Sequence, residues 1–177
     1  MRFILAPWRE PYIKNVFKKK NECIFCRALQ MKNDKKAFII FRGAHNFIIL
    51  NKYPYTPGHL MIAPFRHLPS PENEDTASLH ELMDLFQLSL NVLRTHYEPQ
   101  GFNTGMNLGQ SAGAGVTDHY HLHVLPRWTG DANFLPIVGK TKVVIEDLPT
   151  TYEKLHPLFQ ECRSSKKDQK EIKVSSC

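Results

Sequence analysis

The sequence predicts an α+β fold: a mostly antiparallel sheet of about five strands, one long helix packed on it and a further helix near the C-terminus. Three observations carry this. Leu79, Leu82, Met83, Phe86, Leu90 and Leu93 recur at three- and four-residue spacing, the period of an amphipathic helix. Several short runs rich in Ile and Phe, bounded by Gly, Pro or Asn, have the length of strands. Hydrophobic residues fill 42% of the 177 positions, enough for one core, and the length suits one domain rather than two.

The elements follow in order. Residues 1–22 read as an extended N-terminal arm, because Pro7 and Pro11 block regular structure, with Trp8 and Tyr12 docking on the body. The main domain spans residues 23–162. A short helix follows Cys23 through Arg27, Ala28 and Leu29. Residues 38–41 and 46–51 are two apolar strands separated by a turn at 42–45. Residues 54–58 form a loop and 59–64 a third strand. The long helix occupies 76–96. Ser70-Pro71 and the acidic Glu72, Glu74 and Asp75 suit its start, where the helix dipole favours negative charge, and Pro99 and Gly101 punctuate its exit. Residues 102–108 and 119–126 are two more strands, joined by a small-residue loop at 109–117. The last helix begins near Leu148-Pro149 and ends near Glu161, and residues 163–177 form a polar, mobile tail.

The net charge is +6, from 23 basic and 17 acidic residues. Much of the excess is local, at Lys18, Lys19 and Lys20, at Lys35 and Lys36, and at Lys166, Lys167, Lys170 and Lys173. No basic stripe interleaved with aromatics is present, so nucleic acid is not expected as the main partner. A positive field suits a small polyphosphate equally well. No apolar run approaches the length of a membrane span, and no membrane partner is expected. The first residues hold one basic side chain and a very short apolar stretch, unlike a secretory signal. A cytoplasmic location is the expectation. In that compartment Cys23, Cys26, Cys162 and Cys177 are not expected to form a disulfide framework. Cys23-x-x-Cys26 then has several readings: a redox pair, a coincidence in a helix, or half of a metal site.

The chemistry concentrates in His119-Tyr120-His121-Leu122-His123-Val124-Leu125-Pro126-Arg127-Trp128. Strand alternation turns His119, His121 and His123 to one face and Tyr120, Leu122 and Val124 to the other. A lone strand histidine is usually structural, and three could form a plain metal site. Two features argue otherwise. The opposite face is apolar, and the preceding Gly109-Gln110-Ser111-Ala112-Gly113-Ala114-Gly115 is a small, flexible loop of the kind that brings backbone N–H groups to phosphate.

This stretch resembles the histidine-triad superfamily signature, His-x-His-x-His followed by apolar residues. The resemblance covers roughly residues 23–128. The flanks resemble the branch of diadenosine tetraphosphate phosphorylases or hydrolases, which is similar to the fragile-histidine-triad dinucleoside polyphosphate hydrolases. The supporting stretches are Ala6-Pro7-Trp8-Arg9, Cys23-Ile24-Phe25-Cys26, Asn51-Lys52-Tyr53-Pro54-Tyr55-Thr56-Pro57-Gly58-His59, and Pro126-Arg127-Trp128 with Gly130-Asp131-Ala132-Asn133-Phe134. The resemblance implies a nucleotidyl hydrolase or transferase. His121 would attack the α-phosphorus to form a nucleotidyl-histidine intermediate. His123 would hydrogen-bond the phosphate or bridging oxygen and assist departure. Asn107 would contact the phosphate side, and Gly115 and its neighbours would supply backbone donors. Asn51 would hold the ribose hydroxyls, with a strand-ending turn residue as its other reading. Phe47, Ile49 and Leu50 would wall the base, some of them facing the core instead. The loop from Asn107 to His119 is one residue longer than is common in the family, so Gln110, Ser111 and Thr117 all stand as contacts. A nucleoside phosphoramidase and a nucleotide-binding signalling module are the alternatives.

In zinc-bearing members of the superfamily, Cys-x-x-Cys combines with residues placed like His67 and His119. The resemblance therefore implies one structural zinc per chain, held by Cys23, Cys26, His67 and His119, with no organic cofactor. His59 is then a buried supporting histidine rather than a ligand. A homodimer is implied in the same way.

Overall fold

The computed structural model describes residues 23–131 and 146–174, with side chains described through residue 162. The expected N-terminal arm with Trp8 and Tyr12, and Asn133 and Phe134, lie outside the described residues.

Two short helices, α1 (Ile24–Gln30) and α2 (Asp34–Ala37), lead into strands β1 (Ile39–Arg42), β2 (Asn46–Leu50) and β3 (Leu60–Pro64). The long helix α3 (Thr76–Tyr97) precedes β4 (Gly101–Gly105) and β5 (Leu122–Arg127), and α4 (Leu148–Val174) closes the chain. The five strands form one antiparallel sheet in the order β1-β2-β3-β5-β4. This is the α+β architecture that the pattern predicts.

The pleat of the sheet separates two cores. On one face Ile48, Leu50, Leu60, Ile62, Tyr120, Leu122 and Val124 pack against Leu82, Leu85, Val92 and Leu93 of α3 and Tyr152, Leu155 and Phe159 of α4. On the other face Ile39, Phe47, Ile49, Met61 and Ala63 pack against Phe25 and Ala28 of α1. The histidines of the 119–123 stretch lie on this second face. One helix layer therefore supports the sheet from behind, and the short α1 covers the functional side.

α3 is capped by Asp75, whose carboxylate accepts from the Ser78 N–H at 2.8 Å. Pro71–Asn73 form a separate 3-10 turn ahead of it. The buried line of α3 is Ser78, Leu82, Leu85, Ser89, Val92 and Leu93. It is rotated from the expected stripe: Leu82 and Leu93 are buried, but Met83 is 55% exposed. Ser78 and Ser89 are part of this buried line, while Phe86 and Leu90 of the expected stripe pack at its margin. Ser89 returns its hydroxyl to the Leu85 carbonyl at 2.7 Å, which lets a small polar residue be buried. Glu81 of α3 closes the β1–β2 turn by accepting the backbone N–H groups of Ala44, His45 and Asn46 at 2.6–2.7 Å.

Three boundaries differ from expectation. β4 ends at Gly105 rather than at residue 108, because its partner β5 supplies no ladder beyond the Gly105–His123 pair. β5 begins at Leu122, so His119 and His121 stand just ahead of the ladder. The backbone of α4 stays helical to Val174, past the expected end near Glu161.

Candidate active site

Residues 119–123 alternate as predicted although only the last part is paired strand. The Tyr120 ring enters the core behind the sheet, and its N–H donates to the Leu68 carbonyl at 2.8 Å. His119 and His121 are buried on the opposite face, with His123 half-buried beside them. The rings of His121 and His123 meet edge-on at 4.7 Å.

The hydrogen bonds assign the ring protons. His121 Nδ1–H donates to the His119 carbonyl at 3.1 Å, which leaves Nε2 with its lone pair. Burial holds the His121 pKa below the usual histidine value, against the opposing pull of that carbonyl, so the ring is a free base at neutral pH. His59 is fully buried just ahead of β3. Its Nδ1 accepts the Tyr55 N–H at 3.2 Å, so its Nε2–H donates to His123 Nδ1 at 2.9 Å. His123 therefore carries its own proton on Nε2. Burial, reinforced by His121 nearby, pushes the His123 pKa down to about 4, so this ring is a neutral donor. Side by side, the pair offers one nucleophilic nitrogen and one N–H.

His119 serves a different cluster. Its Nε2–H donates to the Pro64 carbonyl at 2.9 Å, which turns the Nδ1 lone pair toward the thiols of Cys23 at 3.4 Å and Cys26 at 3.7 Å. Cys26 Sγ lies 3.3 Å from His67 Nδ1. All four donor atoms fall within 4.8 Å of one another. A tetrahedral centre with Zn–S of about 2.3 Å and Zn–N of about 2.0 Å needs donor separations of about 3.3–3.8 Å, which these contacts approach. Burial pushes the Cys23 thiol up to about 11, opposed by the N–H groups of Cys26 and Phe25. The same burial pushes the His119 imidazole down to about 4. His59 is no part of this cluster; it supports His123.

The other predicted residues fall into groups. Asn51 follows the end of β2, accepts the Tyr53 N–H at 2.9 Å in a local turn, and holds its Nδ2 3.4 Å from both His59 ring nitrogens. Leu50 is a correction: it is buried against the helices, while Phe47 and Ile49 face α1, so its side chain cannot wall a base on the histidine face. Alternation forces this parity. The loop after β4 turns at Gly109 and Gly113, with φ of 81° and 83°, values that favour glycine. Between them Gln110–Ala112 make one 3-10 turn. Asn107, Gln110 and Ser111 are exposed, and Gly115 and Thr117 are half-buried. Val116 packs on the α1-side core, which ties this end of the loop to the histidine face. Among the described residues no hydrogen bond joins Asn107, Gln110, Ser111 or Gly115 to the histidines.

The HIT domain profile matches residues 32–130, more than half of the chain. The chain belongs to the HIT domain family. An AP-4-A phosphorylase of Mycobacterium tuberculosis is 42% identical over 119 residues, covering 67% of this chain and 61% of that protein. The chain thus matches about three fifths of the length of that relative. A bis(5'-adenosyl)-triphosphatase of Dictyostelium discoideum is 26% identical over 134 residues, covering 72% of this chain and 89% of the relative. Among solved structures, a zinc-bound histidine triad family protein of Mycobacterium smegmatis superposes with a TM-score of 0.64 at 21% identity, covering 81% of this chain and 97% of that one. That likeness establishes the HIT fold.

The site holds two groups that pattern reading did not place. Phe25 lies against the His119 and His121 rings, and His59 is bonded to His123 rather than supporting the metal ligands. The apolar residue inside Cys-x-x-Cys was the only sequence signal for the first. The second depends on the pairing of β3 with β5.

Proposed function

We propose that this HIT domain cleaves dinucleoside polyphosphates such as diadenosine tetraphosphate by nucleotidyl transfer through His121. The observation that carries the reading is the His119–His121 hydrogen bond, which leaves a neutral Nε2 lone pair beside the His123 N–H. Nε2 attacks the α-phosphorus, the phosphorus–bridging-oxygen bond breaks, and its electron pair leaves on the departing nucleoside polyphosphate. A neutral His123 does not surrender a proton. It stabilises the departing oxygen by a hydrogen bond, which suffices for a leaving group that is a stable anion at neutral pH. An acceptor then attacks phosphorus from the side that the leaving group vacated, opposite His121, and the phosphorus–Nε2 bond breaks to restore the free imidazole. The 42% identity to a phosphorylase favours inorganic phosphate over water as that acceptor. In this reading Asn51, just after β2, meets the ribose, and the 109–117 loop, with Gln110, Ser111, Gly115 and Thr117, meets the phosphates beside Asn107.

The donor chemistry of Cys23, Cys26, His67 and His119 fits one zinc. When bound, zinc would supply structural cross-linking, fixing α1 to the start of β5 and leaving no open position for substrate. The exposed Asn103, Thr104 and Gly105 on the edge strand β4, with Met83 on α3, support a homodimer. No described helix is long and apolar enough to cross a membrane. A paired-thiol metal site suits the reducing cytoplasm.

The test has two parts. His121→Ala should lower turnover by more than the ~10²–10⁴-fold of a lost acid–base group, yet retain AMP binding. Wild-type protein quenched in acid-free denaturant during turnover should carry a nucleotidyl group on His121. Incubation of diadenosine tetraphosphate with phosphate should release ADP; AMP would establish water as the acceptor. Net inversion at a stereogenic α-phosphorus would overturn the covalent route.

A further inference from the structure

Among the described residues the His121 imidazole makes one hydrogen bond, from Nδ1–H to the His119 carbonyl. That bond selects the Nδ1–H tautomer only while the ring stays aligned with the carbonyl, and by itself it does not hold the ring there. His123 contacts it edge-on at 4.7 Å. A further wall is Phe25, with its ring centroid 4.8 Å from His121 and tilted by 47°. The same ring lies 5.0 Å from His119 and meets Phe47 edge-on at 6.3 Å. Phe25 has no exposed surface. Its backbone is equally constrained, since it lies between Cys23 and Cys26, and the Arg27 N–H closes the first turn of α1 on the Cys23 carbonyl at 2.9 Å. The two thiols converge on His119 and so fix where the intervening side chain points.

We propose that Phe25 is a positioning residue: it clamps the His121 imidazole in its attacking orientation, and the Cys-x-x-Cys turn exists in part to aim it. The clamp rests on the reading of His121 as the nucleophile. A nucleophile held by packing reaches phosphorus aligned, and a misplacement of about 1 Å costs on the order of 10²-fold in rate. The ring acts on His121, so its loss should appear in kcat rather than in ground-state affinity.

The experiment compares wild type with Phe25→Leu and Phe25→Ala at equal zinc content. Leu keeps apolar bulk, so it remains informative if removal of the buried ring in Phe25→Ala prevents folding. We expect kcat to fall roughly 10-fold in Phe25→Leu and up to about 100-fold in Phe25→Ala, with the Kd for AMP within about threefold. The ¹⁵N signals of His121 at fixed neutral pH should shift from the single Nδ1–H form toward a mixture of tautomers in both variants. A raised Kd for AMP with unchanged kcat would make Phe25 a wall of the nucleoside site and overturn the clamp. Unchanged kcat with unchanged ¹⁵N signals would overturn it as well. The ¹⁵N readout needs no turnover. If wild-type protein forms no nucleotidyl-histidine, the proposed function fails, while the order of the His121 ring still decides the clamp.

Discussion

Replacing His59 by Phe tests whether the proton inventory of the site is set from behind. The ring is fully buried, accepts the Tyr55 N–H at 3.2 Å, donates to His123 Nδ1 at 2.9 Å, and has Asn51 Nδ2 3.4 Å from both of its nitrogens. Phe keeps a flat aromatic ring in the buried slot but adds bulk, so the perturbation is the loss of both polar contacts together with a steric cost in stability. His123 Nδ1 loses its donor in a half-buried position, and a buried group left unsatisfied costs about 1–3 kcal/mol. Nδ1 then faces an apolar ring in either tautomer, so the relief is for the His123 ring to turn toward another partner, where its Nε2–H no longer serves the leaving oxygen. The ring orientation that presents this N–H to substrate then becomes the minor one by that same free energy, a loss of roughly 5- to 150-fold in kcat. AMP binding should change little, because the base and ribose contacts remain. Steady-state kinetics and AMP titration measure the two effects, and ¹⁵N spectra of His123 report the change in its hydrogen bonding. A folded His59→Phe protein with kcat within about twofold of wild type would refute the reasoning.

Three other outcomes are expected. Purified protein should contain about one zinc per chain, and Cys23→Ser with Cys26→Ser should lower the melting temperature; elemental analysis finding no zinc in protein prepared without chelators would remove the site. Asn51→Asp, which keeps the turn acceptor for Tyr53, should stay folded, while Asn51→Ala should weaken AMP binding by about 1 kcal/mol; unfolding with unchanged affinity would leave Asn51 a turn residue only. For pH, His123 stays neutral in the folded protein down to about 4, whereas an unfolded histidine titrates near 6.5. Between these values the unfolded state binds more protons, so stability falls as pH drops from about 6.5 to about 4 and this contribution is then constant. Urea midpoints that do not change across this window, in wild type against His123→Gln, would show that His123 is not buried neutral.

Local pattern was enough for part of this molecule. The period-two alternation of residues 119–124 sorted three histidines from Tyr120, Leu122 and Val124 because strand geometry acts over adjacent residues. The caps and breakers around residues 75–99 likewise located α3 by interactions within a few positions. The metal quartet was reached through the family likeness, and the structure brings its four donors together. Other features needed the folded sheet. β2 reads Asn-Phe-Ile-Ile-Leu and is buried on both faces, so no polar alternation signalled that Leu50 points to the helices. The buried line of α3 differs from the apolar stripe because a buried Ser contributes nothing to an apolar pattern, and Ser78 and Ser89 both lie on that line. His59 and His123 lie 64 residues apart and meet only because β3 pairs with β5. The residue types capable of the chemistry are a local property of the chain; which nitrogen of each ring carries its proton is decided by neighbours that only the tertiary structure supplies.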